Sequence, residues 1–165
     1  MRPTVYVETT VISYLTSRPS RDLIVAAHQQ LIHDWWNNHR LQFELFVSPT
    51  VMEEISKGDP GVATSRLEAV AGLAVLELTP DLRGLADEYF ANIQLPERAR
   101  ADSYHLAFAS WHGMDYLITW NCSHMASGFV RKQVAKINKA WGIESPAICT
   151  PEELMEVPDV QGSNR

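Results

Sequence analysis

Short apolar runs recur along this chain, each stopped by a polar or turn-forming cluster and followed by a longer segment of helical period. Thr4-Val5-Tyr6-Val7 is the first, ending abruptly at Glu8-Thr9-Thr10. Phe43 to Val47, Ala74 to Leu78, Tyr116 to Thr119 and Pro146 to Cys149 follow. Runs this short, dense in β-branched and aromatic residues, are strand signals. Strands separated by helices pair in parallel through crossovers, with helices over the faces of the sheet. The alternation predicts a single α/β domain with a central parallel sheet of about five strands and helices on both faces.

The intervening segments carry their own start and stop signals. A short helix is expected from about Val11 to Leu15. Ser20 is the expected N-cap of a long helix, with Asp22 in its first turn and Leu23, Ala27, Leu31 and Trp35 as the buried stripe. Ser48-Pro49 is a capping residue before proline at the first helical position, opening the helix that carries Glu53 and Glu54. Further helices are predicted over Gly61 to Ala71, Asp81 to Asn92, a segment periodic through Ala101, Tyr104, His105, Phe108 and Trp111, around His124 to Gly128, and over Val130 to Trp141. With 165 residues the chain suits one domain. That domain is set at residues 1–157, and the polar residues 158–165 are expected to form a frayed tail.

Bulk properties exclude several classes. No apolar run approaches the roughly 20 residues that span a bilayer. Nor does the start show a charged lead, a long apolar stretch and a cleavage site. A cytoplasmic protein is therefore expected. Two cysteines, Cys122 and Cys149, are too few for a disulfide scaffold. The formal net charge of −6 argues against nucleic-acid binding by bulk electrostatics alone. Local basic groups do exist: Arg98 with Arg100, and Arg131, Lys132, Lys136 and Lys139 on one helical stretch. They are read either as solvated helix faces or as a phosphate-tracking rim around an acidic site.

In an open α/β sheet, sites form outside the carboxyl ends of the strands, where strand order reverses. Glu8 and Asn121 directly follow the first and fourth apolar runs and should project from that edge. Glu54 and Asp102 sit early in helices returning from the same side. Singly, each is better explained otherwise: Glu8 and Asn121 as routine polar residues after strands, Glu54 as a solvated surface charge, and Asp102 as a first-turn carboxylate answering the helix dipole.

Taken together, they meet a known pattern. From Val5 to about Leu154 the chain resembles the PIN-domain family, which includes the VapC-like toxins of bacterial toxin–antitoxin pairs. Val7-Glu8-Thr9-Thr10-Val11-Ile12 is similar to the family's opening of an acid, Thr, Ser or Thr, and two aliphatics. Ser48 to Ile55 is similar to its second block, which places the helix-borne glutamate at Glu54. Asp102-Ser103-Tyr104-His105-Leu106-Ala107 resembles its Asp-Ala-x-x-x-Ala segment. Tyr116 to Asn121 resembles its strand followed by Thr-x-Asp. The chain departs from the family in carrying Glu8 and Asn121, where aspartate is usual at both places.

The resemblance implies a metal-dependent endoribonuclease in which Glu8, Glu54, Asp102 and Asn121 form the catalytic, metal-holding set. Hard oxygen donors without His or Cys ligands suit Mg²⁺ or Mn²⁺. Thr9 and Thr119 are placed to hydrogen-bond these groups from behind. Arg98, Arg100, His124, Arg131 and Lys132 are the candidate RNA contacts. His105 and His112, on an apolar helix face, are read as packing residues. Expected partners are RNA, a cognate antitoxin protein and a second copy of the chain, with Trp35, Trp36 and Trp111 as contributors to that homodimer. The alternative is a PIN-like domain with little or no catalysis, acting as an RNA- or protein-binding module. An unrelated phosphatase or nucleotide binder is disfavoured, because no glycine-rich phosphate loop and no Asp-x-Asp follow the first strand.

Overall fold

A computed structural model describes residues 1–155, so the expected tail over 158–165 lies outside the described residues. Strands β1 (Thr4–Val7), β2 (Glu44–Val47), β3 (Ala74–Val75), β4 (Tyr116–Ile118) and β5 (Ala147–Cys149) form one sheet in the order β3-β2-β1-β4-β5. Every pairing is parallel, as short strands joined through helices require. Seven α-helices connect them among the described residues: α1 (Thr9–Thr16), α2 (Leu23–Asn38), α3 (Pro49–Ile55), α4 (Pro60–Val70), α5 (Pro80–Ile93), α6 (Arg100–Trp111) and α7 (Gly128–Trp141). No helix among them is long and apolar enough to cross a membrane.

The core forms around β1 and β4. Val5, Tyr6 and Val7 are fully buried, as are Leu117 and Ile118 beside them, because both strands are covered on both faces. Helix ends follow the capping chemistry of the sequence. The Ser48 side chain accepts the Val51 N–H with Pro49 next in line, and Thr79 does the same for Leu82 before Pro80. Tyr89 of α5 donates to the Asn138 side chain of α7, and Asn138 donates in turn to Ser110 at 3.1 Å and Ser145 at 3.0 Å. That buried polar clasp ties α5, α6 and α7 into one layer.

Three local expectations are corrected. Asp22, not Ser20, caps α2, accepting from Ile24 and Val25 N–H, while Ser20 Oγ accepts the Asp22 N–H. The buried stripe of α2 is Gln29, Ile32, Trp35 and Trp36; Leu23 and Ala27 are exposed. Only the C-terminal half of this helix lies over the core, where Trp35 meets Phe43 at 5.7 Å between ring centroids. Residues 122–125 form turns rather than a helix, because the Asn121 side chain captures the Ser123 and His124 N–H groups.

The tryptophans expected at a dimer contact are also accounted for within the chain. Trp35 and Trp36 are buried, and Trp111 packs edge-on against Trp141. Leu117 is a fully buried residue at the centre of the sheet, between β1 and β5. We expect Leu117→Ala to cost about 2–5 kcal/mol, read as a lowered urea midpoint with an unchanged slope.

Candidate active site

The sheet order reverses between β1 and β4, and the carboxyl ends of those two strands face a common crevice. Glu8 leaves β1 there and caps α1, with its side chain taking the Thr10 N–H at 3.0 Å. The same Oε2 accepts the hydroxyls of Thr10 and, at 2.8 Å, of Thr119. Thr119 leaves β4 and also accepts the Asn121 N–H at 2.9 Å. Two threonines thus lock a 3% exposed carboxylate between the two strand ends. Burial raises the Glu8 pKa, outweighing the nearby His105 and the threonine hydrogen bonds.

Glu54, the penultimate residue of α3, accepts the Thr9 hydroxyl at 2.8 Å. Its second partner was not legible in the sequence. His105 Nε2 meets the same Oε1 at 2.5 Å and lies 3.9 Å from Glu8 Oε1. His105 is indeed fully buried on α6, as a packing residue would be, but both ring nitrogens are engaged. Nδ1 meets the Tyr6 hydroxyl at 2.7 Å, and that hydroxyl is 2.7 Å from Ser48 Oγ. A polar chain therefore runs from the α3 cap through the core to the carboxylates. Burial alone would depress the His105 pKa. The Glu54 bond and the charges of Glu8, Glu54 and Asp102 outweigh it and raise it. In Glu54, burial is outweighed by the His105 hydrogen bond and charge, by Thr9 and by Lys57, so its pKa is lowered. His105 thus sits between two acids, hydrogen-bonded to Glu54 and 3.9 Å from Glu8.

Asp102, in the first turn of α6, forms the other half. Its Oδ2 accepts from Asn121 Nδ2 at 3.3 Å and meets His124 Nδ1 at 2.9 Å. Burial raises the Asp102 pKa, with Glu54 adding to the rise and His105 and His124 opposing it. Asn121 Oδ1 accepts the Ser123 and His124 N–H groups, which fixes the amide orientation and presents nitrogen, not oxygen, to Asp102. Asn121, expected as an oxygen ligand or to orient the attacking water, here donates to Asp102. Hydrogen bonds engage Glu8 Oε2, Glu54 Oε1 and Asp102 Oδ2, so each carboxylate keeps its other oxygen unused by protein donors among the described residues. Such a donor set fits a hard divalent cation that takes one or two carboxylates and keeps its waters. Among the described residues, no group of three or more His, Cys, Asp or Glu side chains is arranged around one ion position.

The basic candidates divide. Arg100 is held by Glu97 at 2.8 and 2.9 Å and lies over the Phe90 ring. Arg131 Nε donates to the Ile148 carbonyl at 2.8 Å, and its Nη2 is 3.4 Å from Glu153. Both are therefore already engaged by acceptors within the chain. Arg98 and Lys132 are exposed. His112 donates from Nε2 to the Glu77 carbonyl at 2.7 Å and stacks on Phe108, as a packing residue does.

No family model and no curated protein matches the sequence. Among solved structures, the chain is similar to VapC20 of Mycobacterium tuberculosis, described as a toxin that cleaves the sarcin–ricin loop. The TM-score is 0.55 at 16% identity, covering 72% of this chain and 91% of that one. At that identity the likeness is one of fold: the chain has a PIN-like α/β architecture.

A group that binds its proton more tightly folded than unfolded stabilises the fold below its unfolded pKa, and this contribution fades as pH rises through the folded value. His105 is such a group. His105→Gln should cost up to about 3 kcal/mol at pH 6, the low end for breaking a buried pair because Glu54 is part-exposed. The gap in melting temperature between wild type and variant should narrow from pH 6 to pH 9. An unchanging gap would mean that the imidazole is held neutral.

Proposed function

We propose that this protein is a PIN-type, divalent-metal-dependent endoribonuclease. The observation that carries the reading is the placement of Glu8, Glu54 and Asp102, from three separate elements, on the side of the sheet's switch point. Thr119 and Asn121 link Glu8 to Asp102 by hydrogen bonds, and His105 bonds Glu54 while lying 3.9 Å from Glu8. These three carboxylates would hold Mg²⁺ or Mn²⁺ through their unused oxygens. The ion, when bound, would lower the pKa of a water and neutralise charge on the scissile phosphate. Thr10 and Thr119 hold Glu8 still, and Thr9 and His105 hold Glu54. Asn121 orients Asp102. His124, tied to Asp102 through Nδ1, would turn Nε2 toward the phosphate. Arg98 and Lys132 remain candidate contacts along the RNA backbone. A toxin role with a cognate antitoxin belongs to the same reading, prompted by the fold shared with VapC20.

A specific observation also favours a second reading, a PIN-like module without turnover. His105 already bonds Glu54 and faces Glu8, and Asn121 turns its nitrogen to Asp102 where the family usually has a carboxylate.

Cleavage of single-stranded RNA with added Mn²⁺ or Mg²⁺ separates the two. We expect Asp102→Asn to abolish metal-dependent cleavage while keeping the melting temperature measured in chelator. Mn²⁺ at a hundred times its Kd should stabilise wild type by about 2.7 kcal/mol and this variant far less. Wild-type protein that neither responds to Mn²⁺ nor cleaves RNA supports the module reading.

Asn121→Asp replaces a donor with a carboxylate beside Asp102. It should lower stability in chelator through like-charge repulsion, and Mn²⁺ should more than recover that loss. Differential scanning fluorimetry with and without Mn²⁺ reads both effects.

A further inference from the structure

The polar site has an aromatic neighbour that the ribonuclease reading does not use. Trp120 lies between Thr119 and Asn121, and its backbone N–H donates to the Thr10 hydroxyl that holds Glu8, at 2.9 Å. His28 of α2 stacks on the indole with ring centroids 4.1 Å apart and planes 8° from parallel. Tyr14 leans on both rings, at 6.2 Å from His28 and 6.4 Å from Trp120. Tyr14 follows Thr10 by one helical turn, so the two share a face of α1. Trp120 is buried, whereas His28 and Tyr14 are only half-buried. The cluster is a ring stack rooted in the site and reached by solvent at its outer members.

The loop before α2 carries two exposed arginines ahead of the Asp22 cap. Gln29, next to His28, pins the loop before α2. Its side chain donates to Ser17 Oγ at 2.7 Å and the Arg18 carbonyl at 2.9 Å, and accepts the Ser20 N–H at 2.9 Å. That loop carries Arg18 and Arg21, both exposed and in no ion pair among the described residues. Stacking rings beside unpaired arginines is the chemistry that takes an unpaired nucleobase and its phosphate. A cluster serving only to pin α1 to α2 would need neither half-exposed rings nor the arginines.

We propose, resting on the ribonuclease reading, that Tyr14, His28 and Trp120 form a platform on which an unpaired base of the RNA stacks beside the scissile phosphate. The base adds to the His28–Trp120 column, and the loop arginines meet the backbone next to it. The substrate class is therefore single-stranded or looped-out RNA, gripped by stacking with little regard for base identity.

The test is binding of a fluorescein-labelled single-stranded RNA octamer, followed by anisotropy in Ca²⁺, alongside cleavage kinetics in Mn²⁺. Three probes are compared: the octamer, the same octamer with two central abasic sites, and a blunt duplex. Wild type should bind the octamer about tenfold more tightly than the abasic strand and should also prefer it to the duplex. His28→Ala and Tyr14→Ala should erase the base preference, while His28→Phe, which keeps a flat ring, should restore it. In cleavage, the alanine variants should raise KM more than they lower kcat. Equal binding of octamer and abasic strand, or alanine variants that bind like wild type, would overturn the platform. Base-dependent binding without cleavage would leave it standing and sink the nuclease reading. Cleavage with an unchanged KM in His28→Ala would do the reverse.

Discussion

A carboxylate buried at the end of a central strand needs partners, and much of this molecule is organised around supplying them to Glu8. Its side chain is 3% exposed, so its charge is solvated by protein rather than by water. Three hydrogen bonds reach one oxygen from Thr10 and Thr119, and the nearest cation, His105, faces the other from 3.9 Å. Those partners come from the start of α1, the end of β4 and the middle of α6. Holding Glu8 therefore fixes how three elements meet, and the same contacts bring Glu54 and Asp102 to the crevice.

His105 gives the cluster two characters. Its raised pKa favours the imidazolium, the form that lets two acids sit close together in a dry place. That form would also lower the field that draws in a divalent ion, setting ion binding against fold stability. Tyr6 and Ser48 behind the ring set its orientation, the Tyr6 hydroxyl lying 2.7 Å from both Ser48 Oγ and His105 Nδ1. The Tyr6 hydroxyl is itself held un-ionised by burial, reinforced by the charges of Glu8 and Glu54 despite the Ser48 hydrogen bond. The column can thus pass polarity inward from the acids without carrying a second negative charge.

Strand ends and helix starts were legible, because a polar residue that halts an apolar run, or a Ser-Pro pair, has few other meanings. That reading puts Glu8 and Thr119 at strand ends and Asp102 at a helix start, while the resemblance is what joins them with Glu54 as one candidate set. His105 was not legible, since its place on the apolar face of α6 gives the same periodicity as a packing residue. The signal that could have found it was a coincidence: Tyr6, Ser48 and His105 are polar residues at three positions where the pattern demands burial, and buried polar groups seek each other. Similar physics hid the role of Asn121. Asparagine and aspartate look interchangeable as oxygen donors, but only the amide can turn a nitrogen toward a neighbouring acid while its oxygen closes a turn. In α2 the apolar spacing picked the wrong stripe: Leu23 and Ala27 face solvent, while Gln29, Ile32 and Trp36 join Trp35 against the core.

The all-parallel sheet also sets an order of events. β1 emerges first during synthesis, yet it takes a central place whose second neighbour, β4, begins at Tyr116. No hairpin is available to close early, so the pairing of β1 with β4 waits on a loop of more than a hundred residues, an arrangement that favours slow assembly. Until then Val5 and Val7 have one open edge, and Glu8 lacks Thr119. A growing chain released before residue 116 would thus carry an incomplete acid cluster and an unpaired apolar strand. Such a fragment suits a protease better than it suits catalysis. The nuclease proposed here would be harmless on the ribosome because its crevice is finished by nearly the last strand to appear.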